Sequence, residues 1–359
     1  MASMFLKDKR AASLFIWPAA VLMLASPAPS GQSRRTVVDS LGRTVSVPER
    51  AERILSLQPE ISRIIVALGA GEKLVGVDYF LRRFDHAVSF IFPKALELPL
   101  VTRLGEDVNL ELVLKLKPDV IFVSPSESWL ADSLEAKIPV PVAAFSSLGS
   151  FENLFREIEF VGDLIGRRGR ADELVRFARA ELKTVRDTIG ARPPSSRPRV
   201  YLAFYSSLLR TNTSYEPVSE AGGVNAAADL LPVALGTKEV VVNAERLLAW
   251  DPDLILIQGN YLPAERAVTV ESVLGDVRLR SLKAVRNRRV TYTFGFWHWW
   301  DPAQVLLETR YLARLFHPDL FPGFEFEAEG NRLYKVFYGR DGVFSRISRM
   351  LKCDEWILD

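Results

Sequence analysis

The densest chemistry in the 359-residue chain lies in Phe294-Gly295-Phe296-Trp297-His298-Trp299-Trp300-Asp301, where three of seven tryptophans and one of three histidines fall within four residues. Aromatic faces suit a flat or apolar ligand, and indole rings attract cations. A helix starting at Asp301 would offer its N-terminus to an anion. One or two of the indoles are expected to pack the interior, and at least one to face a ligand. Further candidates follow short apolar runs: Tyr79, Phe80, Arg82 and Arg83 after Val77, then Arg103 and Glu106, then Tyr205, Arg210 and Tyr215 after Phe204, then Asn260 and Tyr261 after Ile257. Arginines on opposed walls would clamp a carboxylate-rich or oxyanion ligand. Tyr79 or His298 has the chemistry to ligate haem or bare iron. For each of these residues a plain surface role is the competing reading.

Other chemistry is poorly served. No histidine pair has zinc-ligand spacing, and His86 and His317 read as structural. Ser206-Ser207 lacks the glycines of a nucleophile elbow. The glycines of Gly69-Ala70-Gly71 follow a helix and precede a strand, so they end the helix rather than cradle a pyrophosphate.

The elements that must position these groups are announced by a repeated phrase. Leu116-Lys117-Pro118-Asp119-Val120-Ile121-Phe122-Val123 recurs in type as Trp250-Asp251-Pro252-Asp253-Leu254-Ile255-Leu256-Ile257. Each copy is a Pro-Asp turn after a helical run, opening a continuous apolar strand of the kind buried on both faces in parallel sheets. Two copies imply two similar α/β lobes, and clefts between lobes are favoured ligand sites. The ends of parallel strands, where the candidates fall, line such a crevice.

Other elements follow from local signals. Thr36 to Val47 reads as a hairpin. Glu60 to Leu68 reads as a helix presenting Ile61, Ile64, Ile65 and Leu68 on one face. Residues 171–189 run without Gly or Pro and form an amphipathic helix of about 28 Å, long enough to join two lobes. Asp301 is expected to cap a helix with Pro302 in its first turn. The fold class is thus α/β, two Rossmann-like lobes with short parallel sheets joined by one long bridging α-helix. The expected boundaries are residues 1–30, 31–170 (N-terminal lobe), 171–190 (bridging helix), 191–330 (C-terminal lobe) and 331–359 (C-terminal helical tail).

Residues 1–30 read as a secretory signal peptide. Lys7, Lys9 and Arg10 precede an apolar stretch from Ala11 to Ala25 and small residues to Ser30. A membrane anchor is the alternative. The only cysteine, Cys353, is far from this segment, so no lipobox is present and no internal disulfide can form. The expected location is the periplasm after signal cleavage. Without residues 1–30 the charges balance, which argues against a nucleic-acid partner.

With these pieces in order the chain resembles the periplasmic substrate-binding proteins of ABC importers for iron–siderophore complexes, cobalamin and haem. The resemblance rests on Arg53-Ile54-Leu55-Ser56-Leu57, Ala67-Leu68-Gly69-Ala70-Gly71, Leu74-Val75-Gly76-Val77 and Asn109-Leu110-Glu111 with the first Pro-Asp phrase. The second lobe adds Ala221-Gly222-Gly223-Val224-Asn225, the second phrase, and Leu282-Lys283-Ala284-Val285 before Arg289-Val290. It implies a ligand-binding monomer without catalysis or a resident cofactor. It also implies that the Trp297-His298-Trp299 loop faces the cleft, and that Glu111 and Glu245 dock on arginines of an inner-membrane permease driven by a cytoplasmic ATPase. The implied ligand is first an Fe(III)–siderophore, then an oxyanion such as molybdate, then cobalamin or haem. Gln58-Pro59-Glu60 departs from the small polar residues usual after the first strand. A chelatase-like enzyme using His298 with Glu106, and a periplasmic sensor that never meets a permease, are the readings from other classes.

Overall fold

The apolar runs Ile54–Ser56, Val120–Val123, Val142–Ala144, Leu254–Gln258 and Val290–Thr293 become strands buried on both faces. The computed structural model describes residues 33–102, 107–145, 150–190, 192–232, 239–295 and 300–358. In the first lobe β1 (Arg34–Val38) and β2 (Thr44–Pro48) form the expected antiparallel hairpin, which meets the lobe through Ser40 N–H and Ala144 O at 2.8 Å. The sheet behind it is parallel, in the order β4 (Leu74–Val77), β3 (Ile54–Ser56), β5 (Val120–Val123), β6 (Val142–Ala144). Its helices are α1 (Pro59–Ala67), α2 (Tyr79–Phe84), α3 (Val88–Ile91), α4 (Leu110–Leu116), α5 (Ser128–Lys137) and α6 (Phe151–Leu164). The helix α7 (Arg168–Ile189) then packs on α6 of this lobe and on the second lobe.

The second lobe repeats the plan. Its parallel sheet runs β12 (Val290–Thr293), β11 (Leu254–Gln258), β7 (Arg199–Ala203), β9 (Val224–Asn225). A small antiparallel pair, β8 (Arg210–Asn212) with β10 (Glu239–Val241), lies beside it. The helices are α8 (Glu216–Glu220), α9 (Ala244–Trp250), α10 (Val270–Leu274), α11 (Lys283–Arg286), α12 (Pro302–Phe316), α13 (Phe326–Tyr338) and α14 (Val343–Leu351).

The repeated phrase is repeated in three dimensions. Asn109 caps α4 and Asn243 caps α9, each accepting a backbone N–H (2.9 and 2.8 Å). Both helices end on a left-handed non-glycine residue, Lys117 (φ 46) and Asp251 (φ 41). The conformation costs about 1 kcal/mol, and it turns the chain sharply into the Pro-Asp step. Asp119 then accepts the N–H groups of Glu52 and Arg53 at 2.8 Å, as Asp253 accepts that of Arg199 at 2.8 Å. One carboxylate per lobe thereby sets the register between neighbouring parallel strands.

Three expectations need correction. The α7 helix begins at Arg168 because Arg168-Gly169-Arg170, though polar and glycine-containing, complete its first turn. The α1 helix is buried nearly all round, Glu60, Ser62 and Arg63 included, rather than on one face. The C-terminal segment is no tail: α13 begins at Phe326, and Phe326, Leu333, Phe337 and Phe344 are buried. Trp356 wedges against Phe294 with ring centres 5.0 Å apart, and Tyr311 donates to its carbonyl at 2.8 Å. The lone Cys353 is fully buried beside it.

Candidate functional site

Where the C-terminal ends of the two parallel sheets meet, the lobes touch directly. The α2 helix is placed by Asp78, whose carboxylate accepts Leu81 N–H at 2.7 Å. It carries Tyr79, Phe80 and Phe84, whose rings lie about 6 Å apart, the Tyr79 ring meeting the other two edge-on. Phe84 meets Tyr261 of the second lobe edge-on at 6.2 Å, and Tyr261 stacks flat on Tyr205 at 3.7 Å. An aromatic surface thus runs from α2 across the interface to the ends of β7 and β11. Three of the sequence candidates, Tyr79, Tyr205 and Tyr261, lie along it. Phe84 was not anticipated, although it lies five residues beyond Tyr79 on the same short helix.

The arginines behave differently. Arg83 crosses the interface to Glu265 at 2.9 Å and lies over Phe84. Arg82 turns toward its own lobe and donates to Leu98 O. Arg210 forms a two-point pair with Glu239, both contacts at 2.7 Å, and its guanidinium covers Phe204. Arg82, Arg83 and Arg210 thus each have a partner within the protein. Tyr215 is corrected. It is 4% exposed and packs edge-on against Trp300 inside the second lobe, so it supports a wall rather than forming one. Trp300 itself is fully buried, the packing role expected for one of the indoles. Trp297, His298, Trp299, Arg103 and Glu106 lie outside the described residues.

Buried polar groups hold this corner together. Arg63 on α1 is 3% exposed and grips Asp85 with two nitrogens, while a third donates to Asp301 at 2.6 Å. Asp301 caps α12 as expected, accepting Gln304 N–H at 2.7 Å, and Pro302 occupies the first turn. Tyr338 donates to the same carboxylate. Burial works against the Arg63 charge, but Asp85 and Asp301 overcome it and raise its pKa well above normal. Burial raises Asp301, opposed by Arg63. Burial pushes Asp78 up to about 8, and nearby Glu60 and Glu127 add to the rise. His86, beside Glu265 at 3.8 Å, is lowered by burial. The sequence signal for this cluster was slight: Arg63 lies between Ile61 and Ile64 on a helix that is mostly apolar.

Glu111 and Glu245 occupy equivalent places, each exposed in the first turn of α4 or α9 two residues after the capping asparagine. There a negative charge meets the positive helix end. Among the described residues no cluster of side chains is arranged to hold a metal ion, and no helix is long and apolar enough to cross a membrane.

Residues 54–294 match a family described as periplasmic binding protein. The chain is 26% identical over 345 residues to the molybdate-binding protein MolA of Haemophilus influenzae, spanning 88% of this chain and 94% of that one. It is 24% identical over 223 residues to a vitamin B12-binding protein of Yersinia pseudotuberculosis, spanning 59% and 71%. The solved structure of MolA bound to molybdate superposes with a TM-score of 0.71 at 25% identity, covering 86% of this chain and 98% of that one. The motifs, the paired parallel sheets and a match that extends through both lobes agree, and the chain belongs to the family of periplasmic binding proteins that serve ABC importers.

Proposed function

We propose that this protein captures a small oxyanion of the molybdate class between its lobes in the periplasm and delivers it to an ABC permease, without chemical conversion. The observation that carries this reading is the direct contact of the lobes at the strand ends, through Phe84–Tyr261 and Arg83–Glu265. Walls that meet this closely suit a compact ligand, and the relative with 26% identity is a molybdate binder. Export rests on the segment before residue 31, and delivery on Glu111 and Glu245 with their matching helix positions.

A second reading is favoured by a specific feature. The surface of Tyr79, Phe80, Phe84, Tyr205 and Tyr261 is aromatic, and such a surface suits an iron–siderophore, cobalamin or haem better than a hydrated anion. Tryptophan fluorescence of the mature protein, titrated in parallel with molybdate, ferric siderophores, haem and cobalamin, separates the two. Saturable 1:1 quenching by molybdate is expected, with loss of the response in a Trp297→Ala/His298→Ala/Trp299→Ala variant. A response confined to a chelate replaces the first reading with the second. Silence toward all four would sink both.

A further inference from the structure

The interlobe contact contains more charge than adhesion requires. Arg63, Asp85 and Asp301 are 3%, 5% and 1% exposed. Asp85 follows α2 in the first lobe, and Asp301 opens α12 in the second. Each carboxylate is also committed to its own lobe, Asp85 to Val88 N–H at 3.0 Å and Asp301 to Gln304 N–H at 2.7 Å. The guanidinium therefore joins two helix starts that belong to different lobes. Buried ion pairs add little net stability over well-packed apolar side chains. What a guanidinium fork does supply is direction, because its donors meet carboxylate oxygens only over a narrow range of angles.

The C-terminal helices lie beyond the family match and converge on the same point. Tyr338, the last residue of α13, donates to the Asp301 oxygen that Arg63 also contacts. Arg346 on α14 reaches back to the first lobe, over Phe90 at 5.9 Å. Arg170 on α7 donates to Val336 O, and Arg332 pairs with Glu181 on α7 at 2.7 Å. The helix pair thus touches the first lobe, the second lobe and the bridging helix.

We propose that Arg63 is a positioning residue for ligand capture: with Asp85, Asp301 and Tyr338 it forms a latch that sets how far the lobes part, and α13–α14 strap that latch shut. The proposal rests on the reading that ligand binds between the lobes. The latch holds α2 against the Tyr261–Glu265 corner, so releasing it loosens the aromatic surface without touching a ligand-facing side chain.

The test uses amide hydrogen exchange and stopped-flow tryptophan fluorescence on the full mature chain. Arg63→Lys keeps the charge but loses the fork. Tyr338→Phe removes a single hydroxyl and serves if the first variant does not fold. Exchange is expected to quicken on the order of tenfold in residues 79–88, 259–266 and the first turn of α12, with β3, β5, β7 and β11 unchanged. Molybdate release should quicken on the order of tenfold as well. The double variant should show little more than the larger single effect, because both act through Asp301. Uniform acceleration across both sheets would reveal general destabilisation and overturn the proposal. Unchanged exchange at the lobe contact would do the same, as would local loosening with no change in release. If the parent protein takes up neither molybdate nor a chelate, the ligand reading fails by itself, and the exchange pattern alone decides the latch.

Discussion

Glu308 shows how a single buried acid ties stability to pH. It lies on α12 with no exposure, accepts Phe294 N–H at 3.0 Å and also takes the Thr293 hydroxyl. Burial pushes its pKa up to about 8, as it does for Asp78. The unfolded chain releases these protons near pH 4, whereas the folded chain keeps them until about pH 8. Between those limits the folded state binds more protons, so stability falls as pH rises, by about 1.4 kcal/mol per pH unit for each group. The melting temperature should drop between pH 5 and pH 8, and Glu308→Gln, neutral throughout, should remove roughly half of these two groups' combined contribution to the slope. Matching slopes for parent and variant would show that Glu308 is ionised in the fold. Capping roles such as that of Asp301 were legible in sequence because donor and acceptor are a few residues apart. The pairing of Arg63 with Asp301 spans 238 residues and leaves no local trace. For the same reason the partners of Arg83 and Arg210, Glu265 and Glu239, were not legible: tertiary packing sets them.

Among the elements, α13 and α14 approach closely at a glycine. A methyl group at Gly330 would overlap the Phe344 ring, which is itself fully buried. Overpacking of this kind costs about 1–3 kcal/mol, occasionally more. Gly330→Ala should lower the urea midpoint accordingly and, by displacing α14, speed trypsin cleavage after Arg346 or Arg349. A variant as stable as the parent would mean that the helices slide apart freely. The helix-turn-strand units around Asp119 and Asp253 were readable because all their signals are local: asparagine cap, apolar strand, Pro-Asp turn. The α7 start was misplaced by three residues because Gly169 and two arginines carry no helical periodicity. The C-terminal segment was mistaken for a tail because an amphipathic helix does not state which surface will cover it.

At the scale of the molecule, two lobes present the same feature in the same place. Glu111 and Glu245 each project from the first turn of the helix before a Pro-Asp turn. If these are the permease contacts, Glu111→Lys and Glu245→Lys should each leave ligand affinity unchanged while cutting uptake in cells at least tenfold, since truncating a charge at such an interface costs about 2 kcal/mol or more. Uptake at the parent rate in the double variant would assign the protein to sensing instead. The two-lobed architecture was legible because it is written twice. The narrowness of the cleft was not, because it depends on which aromatic rings meet across it.

Cys353 carries a consequence of a different kind. The chain's only thiol is fully buried beside Ser348 of α14, and burial raises its pKa far above the usual thiol range. A thiol so buried and so weakly acidic is poorly placed for thiolate chemistry, so disulfide cross-linking through it is not expected. A cysteine placed on either lobe would be the one site a maleimide finds, so the native chain is already a labelling background for following lobe movement dye by dye.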